Sequence, residues 1–353
     1  MSESRHERPG VYSVYDASAV VSAGQANKII GLAAKAVRGT VGEVVTITGY
    51  AAGVAVFGED VQPGMSTLLR LLFANGAARV EAVRVADTGA VGDYEAAFEA
   101  LGKREVQIVV CDSASAEVHQ SLRTAVEAAS GVRKERIAVV GGDGDTAAEL
   151  VTRATALNSE RMVLVGPNVL DKNGTALPGV FAAAAVAGAV AAGKDPAVPL
   201  NGAELNGLGG LAADYDDNEI DLLVRGGVTP LESIGGIISP VRGITTRTTT
   251  AGAADTTWRE LTTILIVDNI IPAVRASLRS KFARAKNTAR GRSAIRSQVI
   301  VELEKKVAAE IIDSYGDVTV TADPDDPTVC LVEFGFAVAH GLNQIYLTVH
   351  ITV

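Results

Sequence analysis

Strand-like apolar runs alternate with helical patterns over the first two thirds of the chain, and this alternation constrains the fold more than any other feature. The runs are rich in Val, Ile and Ala and lie at residues 28–37, 43–48, 79–85, 106–111, 136–140 and 161–165. Amphipathic segments separate several of them, at residues 66–73, 93–101 and 116–129. Strands that alternate with helices of this length predict an α/β layer around a mainly parallel sheet. Because aromatic residues make up only 4% of the chain, we expect a core of Ala, Val, Leu and Ile.

Residues 173–193 carry no charge and consist mostly of Ala, Gly and Val. A membrane-spanning helix needs about 20 strongly apolar residues, and Ala contributes little to insertion. Pro178 also lies inside the stretch. We therefore expect a small-residue helix packed in a protein core and no membrane insertion.

The pattern changes after Pro240. A capping box at residues 257–260 predicts a long helix with apolar positions from Leu261 to Phe282 and a kink at Pro272. A second helical pattern runs from about residue 295 to 311 and is predicted to stop at Gly316. Three β segments follow, at residues 317–322, 328–337 and 344–353, with a turn at 323–327 between the first two.

Both terminal segments are predicted to be extended. Near the start, an arm is indicated by the sequence of Pro9, Gly10, Val11 and Tyr12. At the end, apolar residues alternate strictly with polar ones, as in a half-buried strand; they are Ile345, Leu347, Val349 and Ile351. Since neither segment has an evident partner strand nearby in sequence, we expect both to add to the sheets of neighbouring subunits.

The sequence contains one weak nucleotide-binding signal. Gly142 to Ala147 reads Gly-Asp-Gly-Asp-Thr-Ala between a strand and a helix, which resembles a dinucleotide fingerprint. The following strand ends in Gly166 and Pro167 where an acidic residue should hold the ribose, and two aspartates would repel phosphates. A structural strand-to-helix turn is the favoured interpretation. An α/β enzyme that binds a small molecule at this turn is the alternative.

Other motifs of catalysis or metal binding are absent from the sequence. It contains no Walker motif and no Gly-x-Ser-x-Gly elbow, and its four histidines lack metal-ligand spacing. Residues 214–219 begin like a calcium loop, but Glu219 and Arg225 occupy the positions that require Gly and a carboxylate, so we expect a solvated acidic loop. The two cysteines cannot form a disulfide framework, which favours a reducing compartment. We predict no catalytic residue, cofactor or metal.

Basic residues are concentrated in one segment. The chain has a net charge of −9, yet residues 269–301 contain no acid and eight bases. Six of these bases are candidates for contact with an acidic partner: Arg275, Arg279, Lys281, Arg284, Lys286 and Arg290. Cations at a helix C-terminus stabilise its dipole, but that accounts for three or four of them. We expect the segment to dock a protein, and the overall acidity disfavours nucleic acid as the main partner.

Several motifs, in order along the chain, resemble the sheath proteins of contractile phage tails, R-type bacteriocins and contractile injection systems. The Pro-Gly-Val-Tyr arm is one, and the segment at residues 69–85 (Leu-Arg-Leu-Leu-Phe-Ala-Asn-Gly…Val-Arg-Val) is another. The others lie at residues 184–188 with Asp195 and Pro196, at 218–229 and at 242–247. The resemblance includes none of the long inserted surface domains of larger sheaths, so we expect no extra outer decoration.

The resemblance implies an α/β fold in which a C-terminal α+β core domain is completed by the N-terminal arm and carries an inserted α/β outer domain. The expected parts are the arm at residues 1–25, the outer domain at 26–240 and the core domain at 241–353. The implied function is a structural one, without enzymatic activity. Subunits would polymerise helically around an inner tail tube, meet baseplate and tail terminator proteins, and contract to drive the tube through a cell envelope. Assembly would take place in the bacterial cytoplasm, as part of a phage tail or an extracellular tail-like particle.

Overall fold

The computed structural model describes residues 28–343. The predicted arm residues Pro9 to Tyr12 and the strand positions Ile345 to Ile351 lie outside this range. The helices are α1 (Tyr50–Phe57), α2 (Met65–Ala74), α3 (Val91–Gly102), α4 (Ala116–Gly131), α5 (Ala147–Leu157), α6 (Gly179–Ala192), α7 (Asp217–Arg225), α8 (Leu261–Phe282) and α9 (Ala289–Val307).

Eight strands form the main sheet: β1 (Ile30–Ala34), β2 (Val44–Ile47), β3 (Val80–Arg84), β4 (Ile108–Cys111), β5 (Ile137–Gly141), β6 (Met162–Gly166), β10 (Val228–Ile234) and β11 (Ile237–Pro240). Small sheets are formed by the other strands: β7 (Val169–Leu170), β8 (Ala176–Leu177), β9 (Gly210–Leu211), β12 (Thr249–Thr250), β13 (Ala253–Ala254), β14 (Ile312–Tyr315), β15 (Thr319–Ala322), β16 (Cys330–Glu333) and β17 (Phe336–Val338).

The main sheet has the spatial order β11-β10-β6-β5-β4-β1-β3-β2. Its six inner strands are parallel, and the edge strands β2 and β11 are antiparallel to their neighbours. The inner strands are almost continuously buried, as expected for a sheet covered by helices on both faces. The six runs identified in the sequence are β1 to β6, so the predicted α/β layer is confirmed.

The uncharged stretch forms α6, which lies in the core. Twelve of its fourteen residues are buried, and it packs on α2 and across the middle of the sheet. Small side chains are required by these contacts: a Cβ added to Gly188 would lie 2.7 Å from the carbonyl oxygen of Leu72. Because Ala and Gly allow such close backbone approach, the helix fills a space too narrow for larger residues.

The predicted start of α8 is wrong. The helix begins at Leu261, with Glu260 rather than Thr257 at the N-cap. The capping box fails because its two ends have other partners: the Thr257 amide donates to Asp255 Oδ1 at 2.9 Å, and the Glu260 carboxylate pairs with Arg242. By length and composition alone, α8 could cross a membrane. However, half of its most apolar 18-residue stretch is buried inside the protein.

The second predicted helix is too long. α9 ends at Val307, and Glu310 adopts a positive φ of 56°. The buried residues Ile311 and Ile312 then lead into β14, which pairs with β17. The acidic run at residues 214–219 is also more ordered than expected, because Asp216 caps α7: the Glu219 amide donates to Asp216 Oδ1 at 2.8 Å.

A buried ion pair fastens α8 to the sheet. Arg161, which precedes β6, contacts Asp268 through two bonds, Nη1 to Oδ2 at 2.9 Å and Nη2 to Oδ1 at 3.1 Å. Arg161 is only 1% exposed. Burial raises the pKa of Asp268 in spite of the attraction of Arg161. The hydrophobic cluster around α8 also continues to β1 and α6, so residues on both sides of position 240 share one core.

Replacing Asp268 is therefore expected to destabilise the chain strongly. Asp268→Asn removes the carboxylate that both Nη atoms of Arg161 contact, and breaking a buried pair from one side costs about 3–5 kcal/mol. Urea denaturation would measure the free energy of unfolding. The matched control is the double variant Arg161→Met with Asp268→Leu, which removes both charges and should recover most of the loss. If the free energy of unfolding of Asp268→Asn lay within about 1 kcal/mol of the parent value, the ion pair would not be what holds α8.

Candidate interaction surfaces

The turn after β5 is filled by the protein itself. A Cβ added to Gly141 would lie 2.0 Å from the carbonyl carbon of Gly179, and the Gly179 amide donates to the Gly142 oxygen at 2.8 Å. Asp145 pairs with Arg153 at 2.9 Å and accepts the amide of Asp143 at 2.8 Å. The start of α6 thus occupies the place where a phosphate would approach the glycines. The favoured interpretation, a structural turn, fits this geometry, and the enzyme alternative finds no support here.

The remaining polar groups of the described chain do not assemble a reaction centre. Within residues 28–343, no group of three or more His, Cys, Asp or Glu residues could hold a metal ion. His119 is fully buried, and its Nε2 lies 2.8 Å from the Ser113 carbonyl oxygen. Burial lowers the pKa of His119 to about 4, so the imidazole is neutral at physiological pH.

The basic segment spans the end of α8, the connection and the start of α9. Arg275 is half-buried and forms an ion pair with Glu135, Nη2 to Oε1 at 2.7 Å. It therefore helps to hold α8 against the rest of the protein. Lys281 is exposed and donates to Gln298 Oε1 at 2.5 Å. The other four candidates are exposed, and no ion pair joins them to a carboxylate among the described residues; they are Arg279, Arg284, Lys286 and Arg290. We call these four the basic corner.

The helix boundaries correct the sequence-based view of this segment. Arg284 and Lys286 lie beyond the end of α8, and Arg290 lies in the first turn of α9, which begins earlier than the predicted start near residue 295. A cation at a helix N-terminus opposes the dipole by about 0.3–1 kcal/mol. Arg290 is therefore placed against the preference of its own helix dipole.

Two contacts hold the basic corner in place. Asn287 Nδ2 donates to the carbonyl oxygens of Pro327 and Val329, each at 2.9 Å, which ties the connection to the turn between β15 and β16. Thr288 caps α9 by accepting the Gly291 amide at 3.1 Å. The exposed cations thus lie on a backbone that these hydrogen bonds hold in place, which the sequence pattern did not predict.

Both ends of the described chain lie near the segment of residues 198–201. Lys28 lines a shallow cleft with Val198, Pro199 and Leu200. A Cβ added to Gly341 would lie 2.7 Å from Pro199 Cγ, and Asn201 Nδ2 donates to Asn343 Oδ1 at 2.8 Å. The points where residues 1–27 and 344–353 join the described chain therefore lie on the same side of the protein.

Comparisons with known proteins agree with this fold. The family described as phage tail sheath protein central domain matches residues 89–246, and the phage tail sheath C-terminal domain matches residues 253–352. A tail sheath protein of Bacillus phage SP01 is 30% identical over 261 residues, which are 72% of this chain and 44% of that relative. The chain belongs to the phage tail sheath protein family. It spans less than half the length of the curated relatives that it matches.

Solved structures share the fold at low sequence identity. The sheath tail protein from Desulfitobacterium hafniense superimposes with a TM-score of 0.71 at 14% identity, over 93% of this chain and all of that one. The anti-feeding prophage helical sheath in its contracted state gives a TM-score of 0.71 at 16% identity, over 98% and 99% of the two chains. The mixed α/β architecture predicted from the sequence is that of sheath proteins.

Proposed function

We propose that this chain is the structural subunit of a contractile tail sheath. Copies polymerise helically around an inner tail tube, and contraction of the polymer drives the tube through a cell envelope. Membership of the sheath family carries the proposal, together with the full-length likeness to a contracted helical sheath. The subunit assembles in the bacterial cytoplasm into a phage tail or tail-like particle, and the ends of the polymer meet baseplate and terminator proteins.

The terminal segments link neighbouring subunits in this proposal. Residues 9–12 and 344–353 add as strands to the sheets of adjacent copies. The C-terminal part offers acceptors, because β14–β17 and β15–β16 have only two strands each, with unpaired edges, within residues 28–343. The common side on which Lys28 and Asn343 lie allows both segments to leave the body together. Residues 26–240 form the outer domain and residues 241–353 the core domain of the polymer.

The basic corner faces the lumen and meets acidic residues of the tube. Such a contact suits a sheath, because it must fix register during assembly and release during firing. Exposed ion pairs contribute only about 0–1 kcal/mol each and are screened by salt. Summed over many subunits, they are sufficient to seat the tube without locking it.

Salt should therefore weaken the association of sheath with tube. The Debye length falls from about 10 Å at 0.1 M to about 3 Å at 1 M ionic strength. We expect the amount of tube that sediments with sheath to fall steeply over this range. Circular dichroism at each salt concentration controls for unfolding. Equal co-sedimentation at both concentrations would contradict a contact made by exposed charges.

A further inference from the structure

Asn287 lies at the centre of the connection between α8 and α9. The Thr288 amide donates to the Lys286 carbonyl oxygen at 2.9 Å, so Asn287 is the middle residue of a three-residue turn. A Cβ added to Gly291 would lie 2.6 Å from the same oxygen, which shows how closely the start of α9 approaches this turn. Cations of the basic corner precede and follow Asn287 in the sequence. The conformation of this one residue therefore affects where those cations lie.

The Asn287 side chain makes three hydrogen bonds. Its Nδ2 donates to the carbonyl oxygens of Pro327 and Val329, each at 2.9 Å, and its Oδ1 accepts Arg292 Nη1 at 2.9 Å. A guanidinium only donates and a carbonyl oxygen only accepts, so these partners fix which end of the amide faces which group. Aspartate has the same shape but no donor when ionised, and it would place an oxygen against both carbonyl oxygens. The arrangement is therefore specific for an amide side chain.

The turn that receives these bonds has its own hydrogen bonds. Asp323 Oδ1 accepts the amides of Asp325 and Asp326 at 2.8 and 3.1 Å, and the Asp323 amide donates to the Val329 carbonyl oxygen at 3.2 Å. This turn closes the β15–β16 hairpin, which packs on α9. Asn287 therefore ties the connection between the helices to a hairpin whose own backbone is held in place.

The position of the backbone matters for the basic corner. Its cations have long side chains and form no ion pair among the described residues. Because each exposed ion pair is weak, binding depends on how many cations meet their partners at the same time. A backbone that is already held in the binding geometry loses less conformational entropy when the partner arrives. The hydrogen bonds of Asn287 supply this constraint at the middle of the connection.

We propose that Asn287 is a positioning residue for the tube: it ties the basic corner to the β15–β16 hairpin and thereby sets the register of sheath on tube. The inference rests on the proposed function, in which the basic corner meets acidic residues of the tube. Asn287 needs no contact with the tube, because it acts through the cations on either side of it. Since the hairpin also accepts a neighbour's strand in the proposed polymer, the cations lie at the same place in every copy.

Asn287→Ala tests the proposal, because it removes all three hydrogen bonds without a change of charge. The variant should polymerise without tube at the same concentration as the parent chain. With tube present, we expect co-sedimentation to weaken by about tenfold and the sheaths to be irregular in length. Tube binding equal to that of the parent would overturn the proposal. So would a variant that cannot polymerise without tube, because Asn287 would then serve the sheath body rather than the tube contact.

A pair of aspartate variants separates position from charge. Asn287→Asp and Thr288→Asp each add one negative charge to the connection. The first loses both donated bonds, whereas the second keeps Asn287 and retains a side-chain oxygen that can accept the Gly291 amide at the N-cap. We expect Asn287→Asp to lose tube binding and Thr288→Asp to lose clearly less. An equal or greater loss in Thr288→Asp would show that charge alone decides, and would overturn the positioning role.

Hydrogen exchange followed by mass spectrometry gives a readout that needs no tube. In Asn287→Ala, the backbone amides of residues 283–291 should exchange faster than in the parent chain, whereas those of residues 261–275 in α8 should be unchanged. Unchanged exchange at residues 283–291 would show that the side chain does not hold the connection, and would overturn the proposal. Failure of the parent chain to polymerise would instead refute the proposed function.

Discussion

A chain that lacks residues 344–353 is expected to remain folded and monomeric. The last contacts of the described body, Gly341 against Pro199 and Asn343 with Asn201, lie before the deletion. The truncated chain keeps both contacts, and in the proposed polymer it loses the strand that links neighbouring subunits. A strand of this length makes roughly four to six backbone hydrogen bonds to its neighbour, each worth about 0.5–1.5 kcal/mol. Losing several kcal/mol per link should abolish polymerisation at the concentrations that assemble the parent chain.

Size-exclusion chromatography and negative-stain microscopy would measure this effect, with circular dichroism to check folding. A more selective variant keeps the length: Leu347→Pro with Val349→Pro removes two backbone donors, and proline is excluded from paired strands. Thr348→Ala, which keeps its N–H, is the matched control and should assemble. Full-length tubes from the truncated chain would contradict the proposed strand exchange.

Reversing the basic corner is expected to separate sheath from tube. The triple variant Arg279→Glu, Arg284→Glu and Lys286→Glu replaces three exposed cations that have no ion pair among the described residues. Surface substitutions of this kind change stability by about 0.5 kcal/mol or less each. The loss should therefore appear in tube binding, because each reversed charge now repels an acidic tube.

The control reverses two exposed lysines of the α/β part that have no ion pair among the described residues, Lys172 and Lys194. We expect this control to co-assemble with tube at normal length, and the basic-corner variant to form sheath without tube or of irregular length. If the basic-corner variant failed to polymerise even in the absence of tube, the cations would instead neutralise an adjacent sheath subunit. Normal assembly around the tube would refute lumenal docking by this segment.

Much of the α/β layer could be predicted because its strands are buried on both faces. A continuous run of apolar residues, as in β1, β4, β5 and β6, is typical of a strand that is buried on both faces of a sheet. The α6 helix was predictable for a related reason, since an uncharged stretch of Ala and Gly fits only a crowded core. Where β14 begins could not be predicted, because Ile311 and Ile312 continue a helical spacing that the conformation of Glu310 interrupts.

The interaction surfaces depend on contacts that are distant in sequence. Arg275 is one of eight clustered cations in the sequence. Only the fold shows that it forms an ion pair with Glu135, 140 residues away, and is therefore not an exposed cation. The pairing of Arg161 with Asp268 likewise joins residues that are 107 positions apart in the sequence. Local patterns indicate which residues are available, and the topology decides which of them remain exposed.

Electron microscopy of the assembled particle before and after contraction tests directly whether this chain is the subunit of a contractile sheath. We expect tubes of this chain in two lengths, with residues 28–343 superimposing between them because buried ion pairs and a shared core join α8 to the sheet. Contacts between copies should change while the bodies move as units. A compact soluble oligomer that forms no tube, or extensive refolding within residues 28–240 between the two lengths, would contradict it.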